Sequence, residues 1–433
     1  MGICFFIAIF ANDMKYVDVI LPLPLPGLFT YSVPKGMEGK VVFGKRLLVP
    51  LGKSKKYIAM AVKTHDVKPA FGVKPIEQVL DEEPTLLPQQ YRLWSWIGEY
   101  YMSPLGDVYN AAFPAGLKST EKFKPKMELY VELASAYRNP QALRVAISMM
   151  ARAVKQSKTF MTFLQLSHWD RLLEDELDEN KKNKVTKEEL MNESHSTSAI
   201  VKTLIDKGFL FTYELEAHFD QIKPLSMSQQ DAYNQILMQM MKKNVVLLHG
   251  VTSSGKTEVY IHLIKQALDE HKQVLYLLPE IALTVQIMER LHRVFGDRLG
   301  IYHSKYSDAE RVEIWQKQMS GHPYDVILGA RSAVFLPFQN LGLVIIDEEH
   351  ETSFKQQDPA PRYHARSAAI MLASMYGAKT LLGTATPSLE SYYNAQQGKY
   401  GLVEMKTRYQ GIQLPEILVV DVKDLKHRKM KGA

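Results

Sequence analysis

Two hydrophobic rhythms run along this chain. Between residues 16 and 64 the apolar positions come in short runs bounded by Gly or Pro: Tyr16-Val17-Asp18-Val19, Leu28-Phe29-Thr30-Tyr31, Arg46-Leu47-Leu48-Val49 and Tyr57 to Val62. That pattern predicts a small β-rich module. Leu21 to Pro26 alternates Leu with Pro and reads as an edge that cannot donate backbone hydrogen bonds, the alternative being a polyproline ligand for another protein. Leu86, Tyr91, Leu93, Trp94, Ile97 and Tyr100-Tyr101 recur with helical spacing and predict an amphipathic helix over 86–101 that closes the module.

From about residue 118 to 220 the sequence turns helical and charged. Glu174 to Glu179, followed by Lys181-Lys182-Asn183-Lys184, reads as a solvated loop. Val185 to Leu190, Ser198 to Leu204 and Lys207 to Leu210 have the rhythm of a helix-turn-helix ending in a hairpin, a winged helix in outline. Lys202 is the only lysine of the second helix, so DNA contact and simple protein joining both stay open there. From residue 225 onward β and α alternate. The apolar runs Val245–Leu248, Val274–Leu278, Asp325–Leu328, Leu343–Ile346 and Thr380–Leu382, with helices at Glu258–Leu268 and Leu283–Phe295, predict a doubly wound parallel sheet with its site at the carboxyl ends of the strands.

Composition narrows this little. The 433 residues suffice for roughly three domains. With 46% hydrophobic and 23% charged residues, wholesale disorder and fibrous structure are excluded. A net charge of +6 permits a polyanionic partner without requiring one. The single Cys4 excludes an internal disulfide or a cysteine zinc site within these residues and fits a reducing cytosol. The apolar run Ile3 to Ala11 is too short to span a membrane. Met14 is the expected start, with residues 1–13 an upstream read-through; a genuine first strand is the alternative.

The chemistry lies at the strand ends. Gly250-Val251-Thr252-Ser253-Ser254-Gly255-Lys256-Thr257 follows a strand and opens a helix, as a phosphate-binding loop requires. Inward-turned N–H groups cradle phosphate oxygens, Lys256 reaches the β and γ phosphates, and the Thr257 hydroxyl ligates Mg²⁺. Asp347-Glu348-Glu349-His350 ends another strand; Asp347 would hold Mg²⁺, while Glu348 orients and deprotonates the attacking water. Thr384 and Thr386 of Gly383-Thr384-Ala385-Thr386-Pro387, with His350, are candidate coupling groups between that acidic site and a neighbouring domain. Gln229 could meet an adenine edge, though glutamines at a helix start are usually just solvated. Pro279 to Thr284 and Gly329 to Ala333, with Arg331, would bind phosphates along one rim. Phe354, Lys355, Arg362, Tyr363, His364 and Arg366 interleave rings and cations as base stacking and phosphate neutralisation need. The alternative is a structural loop in which Tyr363 packs and Arg362 or Arg366 pairs with Asp358.

These segments together resemble the first motor domain of superfamily 2 helicases and, more narrowly, the PriA family of bacterial primosomal replication-restart helicases (primosomal protein N′). Pro22 to Pro26 before Phe29 and Tyr31, Arg46 to Lys53, Glu99-Tyr100-Tyr101, Pro104 to Asp107 and Phe113 to Leu117 resemble that family's N-terminal DNA-binding module, so the likeness spans nearly all of residues 14–420. It implies a 3′-end-binding module over 14–117, a winged-helix-like domain over 118–222, a RecA-like motor lobe over 223–420 and a basic tail over 421–433. It also implies an ATP- and Mg²⁺-dependent helicase, moving 3′ to 5′, that recognises abandoned replication forks and initiates primosome assembly. The implied partners are forked and single-stranded DNA, single-stranded DNA-binding protein and helicase-loading proteins, in the bacterial cytoplasm at the nucleoid and with no membrane.

By motif position, Phe29, Gly52 and Lys74 are implied to form the pocket for the terminal nucleotide, and Thr30 stands where relatives often carry an acidic residue. Phe354 to Arg366 is implied to couple single-stranded DNA to ATP hydrolysis. Relatives continue with a second motor domain, a cysteine-rich insertion holding two zinc ions, and a C-terminal domain; those zinc ligands are not among these residues. The arginine that completes the ATPase comes from the second motor domain, and losing such a group costs on the order of 10³ to 10⁵ in turnover. The chain is therefore expected to bind nucleotide and DNA and hardly to unwind. Two rivals share part of the pattern: a generic DExH translocase and a fork-binding scaffold without turnover.

Overall fold

The computed structural model describes residues 15–118, 130–150, 153–174, 185–213, 222–280, 282, 285–303 and 306–407. Residues 1–13, the charged stretch 175–184, Ile281, Leu283, Thr284 and the basic tail lie outside the described residues. The chain forms two compact units, one from residues 124–218 and one from the segments on either side.

The larger unit begins with β1 (Lys15–Ile20), β2 (Phe29–Val33), β3 (Arg46–Leu51), β4 (Lys55–His65) and β5 (Gln78–Val79). They pair antiparallel in the order β2-β1-β4-β3-β5. Alternation puts Val17, Val19, Tyr31, Leu47, Val49, Ala59 and Ala61 into one core. Arg46, which opens β3, is held by Asp81 and donates to the Leu117 carbonyl at 2.5 Å. Leu21 to Pro26 forms no strand, edge or otherwise: it is a bent connection between β1 and β2. The closing helix is α1 (Pro88–Tyr100), followed by α2 (Leu105–Ala112). Gly106 lies where a methyl group would overlap the Leu21 and Leu23 carbonyls, so its missing side chain lets the proline run dock on α2.

In the smaller unit, β6 (Tyr130–Leu133), α3 (Pro140–Met149), α4 (Val154–Ser167), β7 (Val185–Thr186), α5 (Lys187–Ser194), α6 (Ser198–Asp206) and β8 (Leu210–Tyr213) enclose Leu133, Phe160, Phe163, Leu190, Val201 and Leu204. The strands run in the order β7-β6-β8.

The remainder of the larger unit is α7 (Met227–Lys242), β9 (Val245–Gly250), α8 (Lys256–Asp269), β10 (Gln273–Leu277), α9 (Val285–Phe295), β11 (Leu299–Tyr302), α10 (Asp308–Met319), β12 (Val326–Gly329), β13 (Leu341–Asp347), α11 (Ala365–Tyr376), β14 (Lys379–Thr384), α12 (Leu389–Gln396) and β15 (Gly401–Met405). All seven strands pair parallel in the order β11-β12-β10-β13-β14-β9-β15. This is the RecA-like doubly wound sheet. Its two edge strands, β11 and β15, are interrupted by Gly300 and Glu404 and so lack the continuous apolar runs by which the inner strands stand out.

Helices α1 and α2 share one hydrophobic core with the parallel sheet's flank, joining Trp94, Tyr109 and Phe113 to Trp315 and Phe335. The Phe113 and Trp315 rings meet edge-on at 5.1 Å, the Trp315 indole N–H donates to the Thr85 carbonyl at 3.0 Å, and Gln90 donates to the Phe335 carbonyl at 2.8 Å. Gly106→Ala is expected to destabilise the protein by about 1–3 kcal/mol, because backbone carbonyls cannot swing aside, whereas Gly36→Ala, with open space around it, leaves thermal unfolding unchanged.

Candidate functional site

The phosphate loop leaves β9 at Gly250 and enters α8 at Lys256. Ser253 and Gly255 both take left-handed φ, +62° and +81°, which tightens the turn. Lys256 reaches back to the Gly250 carbonyl at 3.1 Å, and the buried Ser254 hydroxyl has no partner among the described residues. The Val251 amide donates to the Met405 carbonyl of β15 at 3.0 Å. Thr252 lies exposed at the crest. A cavity of ≈ 400 Å³ opens beside the loop, lined by Lys223, Gln229, Ser253, Thr257, Glu258 and Arg290. Gln229 is buried there and already occupied: its carbonyl accepts the Ser226 N–H as a helix cap, and its amide donates to the Gly255 carbonyl at 3.2 Å. It braces the loop, and Gly255 makes room for it.

Strand β14 separates β9 from β13, with Gly383 beside Asp347 and Thr384 beside His249. Gly383 has to lack a side chain, because the Tyr260 hydroxyl fills that place. Tyr260 donates to Asp347 Oδ1 at 2.8 Å and Tyr276 to Oδ2 at 3.4 Å. Burial, with Glu348 beside it, lifts the Asp347 carboxyl to about 6, against the Tyr260 hydrogen bond and Lys256, which pull it down. The two tyrosine hydroxyls are pushed well above their ordinary range by burial and by Asp347, so they stay protonated donors. Glu348 adopts φ +48°, a rare conformation for a non-glycine residue, and its N–H donates to Asp347 at 3.1 Å.

His350 bonds Thr384 Oγ1 through Nδ1 at 2.8 Å and Thr386 Oγ1 through Nε2 at 3.3 Å. Thus the structure brings Asp347, Glu348, His350, Thr384 and Thr386 into one cluster. Between them sits Glu349, 0% exposed, which pairs with Arg366 and accepts from the Ser388 N–H at 2.7 Å and the Ser391 hydroxyl at 2.8 Å. Sequence reasoning assigned nothing to Tyr260, Tyr276 or Glu349. The available signal was a tyrosine inside the apolar strand Val274 to Leu277, whose hydroxyl needs a partner once buried.

The ring-rich segment after the tetrad takes the structural arrangement. Phe354 and Tyr363 are 0% and 1% exposed, Tyr363 packs on Phe335 at 4.9 Å, and Arg362 pairs with Asp358 at 3.6 Å. Arg331 donates to the Ser353 and Lys355 carbonyls, and Gln356 ties the loop from within through the Pro359 and Pro361 carbonyls. Lys355 donates to the Arg362 carbonyl. Burial, with Arg366 and Lys355 nearby, depresses His364 to about 4, so it is neutral near pH 7 and supplies no charge to a phosphate.

In the N-terminal sheet, Gly52 turns between β3 and β4 at φ +67° with open space around it, and the Lys74 ammonium donates to its carbonyl. Phe29 is half-buried on the rim of that module's core. The Thr30 hydroxyl donates to Asp18 at 2.7 Å, and His65 approaches the same oxygen at 3.3 Å, so a carboxylate stands one strand away from Thr30.

Residues 18–114 match the PriA 3′ DNA-binding domain, residues 128–217 the winged helix domain of PriA helicase from Bacteroidota, and residues 226–395 the DEAD/DEAH box helicase domain. The replication restart protein PriA of Bacillus subtilis (strain 168) is 31% identical over 95% of this chain and 58% of its own length. That of Haemophilus influenzae is 34% identical over 95% of this chain and 54% of its own, and that of Chlamydia trachomatis 32% over 94% and 53%. The chain belongs to the PriA family. It spans a little over half the length of these PriA relatives. Phe29, Gly52 and Lys74 fall inside the PriA 3′ DNA-binding match, and the phosphate loop and acidic tetrad inside the helicase match. Among the described residues no helix is long and apolar enough to cross a membrane.

Two outcomes follow from the Asp347 cluster. Tyr260→Phe removes a group that lowers the Asp347 pKa, so the carboxylate protonates above pH 6 rather than near it; the acid limb of Mg²⁺–nucleotide binding, read by fluorescence titration, moves to higher pH. Glu349→Ala removes the buried partner of the half-buried Arg366, leaving it the more distant Glu390, and is expected to cost about 3–5 kcal/mol in urea unfolding.

Proposed function

We propose that this chain carries the ATP-driven DNA-binding and motor functions of a replication restart helicase, taking forked DNA with a free 3′ end as its substrate. The observation that carries the reading is the pairing, within one compact unit, of a complete phosphate loop and acidic cluster with the Gly52–Lys74 turn of the 3′ DNA-binding module. The proposed division assigns 14–117 to the 3′ end, 118–222 to a winged-helix-like domain, 223–420 to the motor lobe and 421–433 to a basic tail.

The residues fit ATP with Mg²⁺. The unpartnered Ser254 hydroxyl, the Lys256 ammonium resting on Gly250 and the desolvated Asp347 carboxylate are a donor, a cation and an anion, each short of a matching partner. Thr257 and Asp347 supply the hard oxygens a small divalent ion takes alongside phosphate oxygens. The bound nucleotide supplies the phosphoanhydride whose cleavage drives the motor. Lys256 leaves the Gly250 carbonyl for the β and γ phosphates, and Glu348 holds the attacking water and takes its proton. Because His350 bonds both Thr384 and Thr386, a shift at Glu348 passes along that chain to the loop after β14. Lys74, freed from the Gly52 carbonyl, caps the terminal nucleotide, with Phe29 beneath its base and Thr30 held by Asp18. Action in the cytoplasm at the nucleoid, with single-stranded DNA-binding protein and helicase-loading proteins as partners, completes the proposal.

A titration on fork DNA with a free 3′-hydroxyl against the same fork with a blocked end, at two salt concentrations, tests this. Wild type should bind the free end more tightly, and Lys74→Ala should lose about ten- to a hundredfold, with the distinction between ends abolished. Equal wild-type binding to both forks overturns 3′-end recognition. Lys256→Ala should keep fork binding while losing Mg²⁺–nucleotide binding.

A further inference from the structure

Stacking on an unpaired base requires a ring with an open face. Phe354 and Tyr363, in the loop between the acidic tetrad and α11, have none: both are closed inside the core. The open rings beside that loop come from α1 instead. Trp96 and Tyr100, one turn apart, stack at 4.9 Å with their planes 18° apart, and Tyr100 meets Tyr101 edge-on at 4.9 Å. Tyr100 is 65% exposed, and Met102, two residues on, is 91% exposed.

This stack is fixed to the loop. The Tyr101 hydroxyl accepts the His364 N–H at 3.2 Å, and the Lys355 ammonium lies 5.1 Å from the Tyr101 ring centre while donating to the Arg362 carbonyl. Arg92, two turns before Tyr100, is exposed, as is Arg362, whose pairing with Asp358 is a surface contact that a phosphate can replace. Glu99, the residue before Tyr100, is exposed as well.

Resting on the functional reading above, we propose that Tyr100, backed by Trp96, is the platform on which one unpaired base of single-stranded DNA stacks, with Arg362 taking the adjoining phosphate. The aromatic and cationic halves of this contact come from different parts of the chain, the ring from the N-terminal module and the cation from the motor lobe.

The test uses the whole chain and a 3′-phosphorylated oligothymidylate, so that the Lys74 pocket is not read. Tyr100→Ala should bind it about five- to a hundredfold more weakly, while Tyr100→Phe retains wild-type affinity. Thermal unfolding should be unchanged, since the ring is exposed. The preference of Tyr100→Ala for a free over a blocked 3′ end should persist. Equal affinity of wild type and Tyr100→Ala for the oligonucleotide overturns the platform, as does an equal loss in Tyr100→Phe, which would assign the contact to the hydroxyl. Loss of end preference in wild type would instead overturn the functional reading.

Discussion

The contact between Trp315 and the N-terminal module is the constraint on which the larger unit depends. Its ring meets Phe113 from one side of a continuous apolar core while its N–H satisfies the Thr85 carbonyl. A buried tryptophan that loses both packing and a hydrogen-bond partner typically costs roughly 3–5 kcal/mol, a large fraction of the stability of an ordinary domain. Helices α1 and α2 bury their apolar faces against the motor lobe, while the sheet of the β-rich module keeps a core of its own around Val17 and Val49. The N-terminal sheet and the parallel sheet thus belong to one compact unit.

The site is arranged by the parallel sheet and by the core on its other face, which holds Tyr260 and Tyr276. The parallel sheet orders its strands so that β14, with a bare Gly383, lies between the phosphate loop's strand and the acidic strand. Burying Asp347 there raises the free energy of its charged form, and two tyrosine hydroxyls and Lys256 offset only part of that. The residual imbalance is what a nucleotide-bound cation would relieve. Glu349, one residue beyond Glu348, is buried and uses its charge to lock α11 to the loop after β14.

Much of this is legible in the amino-acid sequence. The phosphate loop and the tetrad follow apolar runs directly, and the spacing of such runs reports a parallel sheet because both of its faces are buried. The closing helix over 86–101 was visible from the spacing of Trp94 and Ile97 and appears as α1 over Pro88–Tyr100. The rest was hidden for definable reasons. The Leu-Pro run gives no strand because its prolines have no N–H and its remaining amides bond within the run, Leu23 to the Leu21 carbonyl and Leu25 to the Leu23 carbonyl. Tyr260 and Tyr276 meet Asp347 only through strand order, which periodicity does not encode. The burial of Phe354 and Tyr363 depends on Phe335 and Arg331, so aromatic residues among cations did not by themselves mean exposed rings.

The most direct test of the one-unit account is native-state hydrogen exchange of the full chain, read by mass spectrometry, across rising urea. If α1, α2 and the motor lobe share one core, amides of β1 and β4 and those of β9 and β13 lose protection together in one transition. Exchange of the β1 and β4 amides at clearly lower urea, with β9 and β13 still protected, would contradict it.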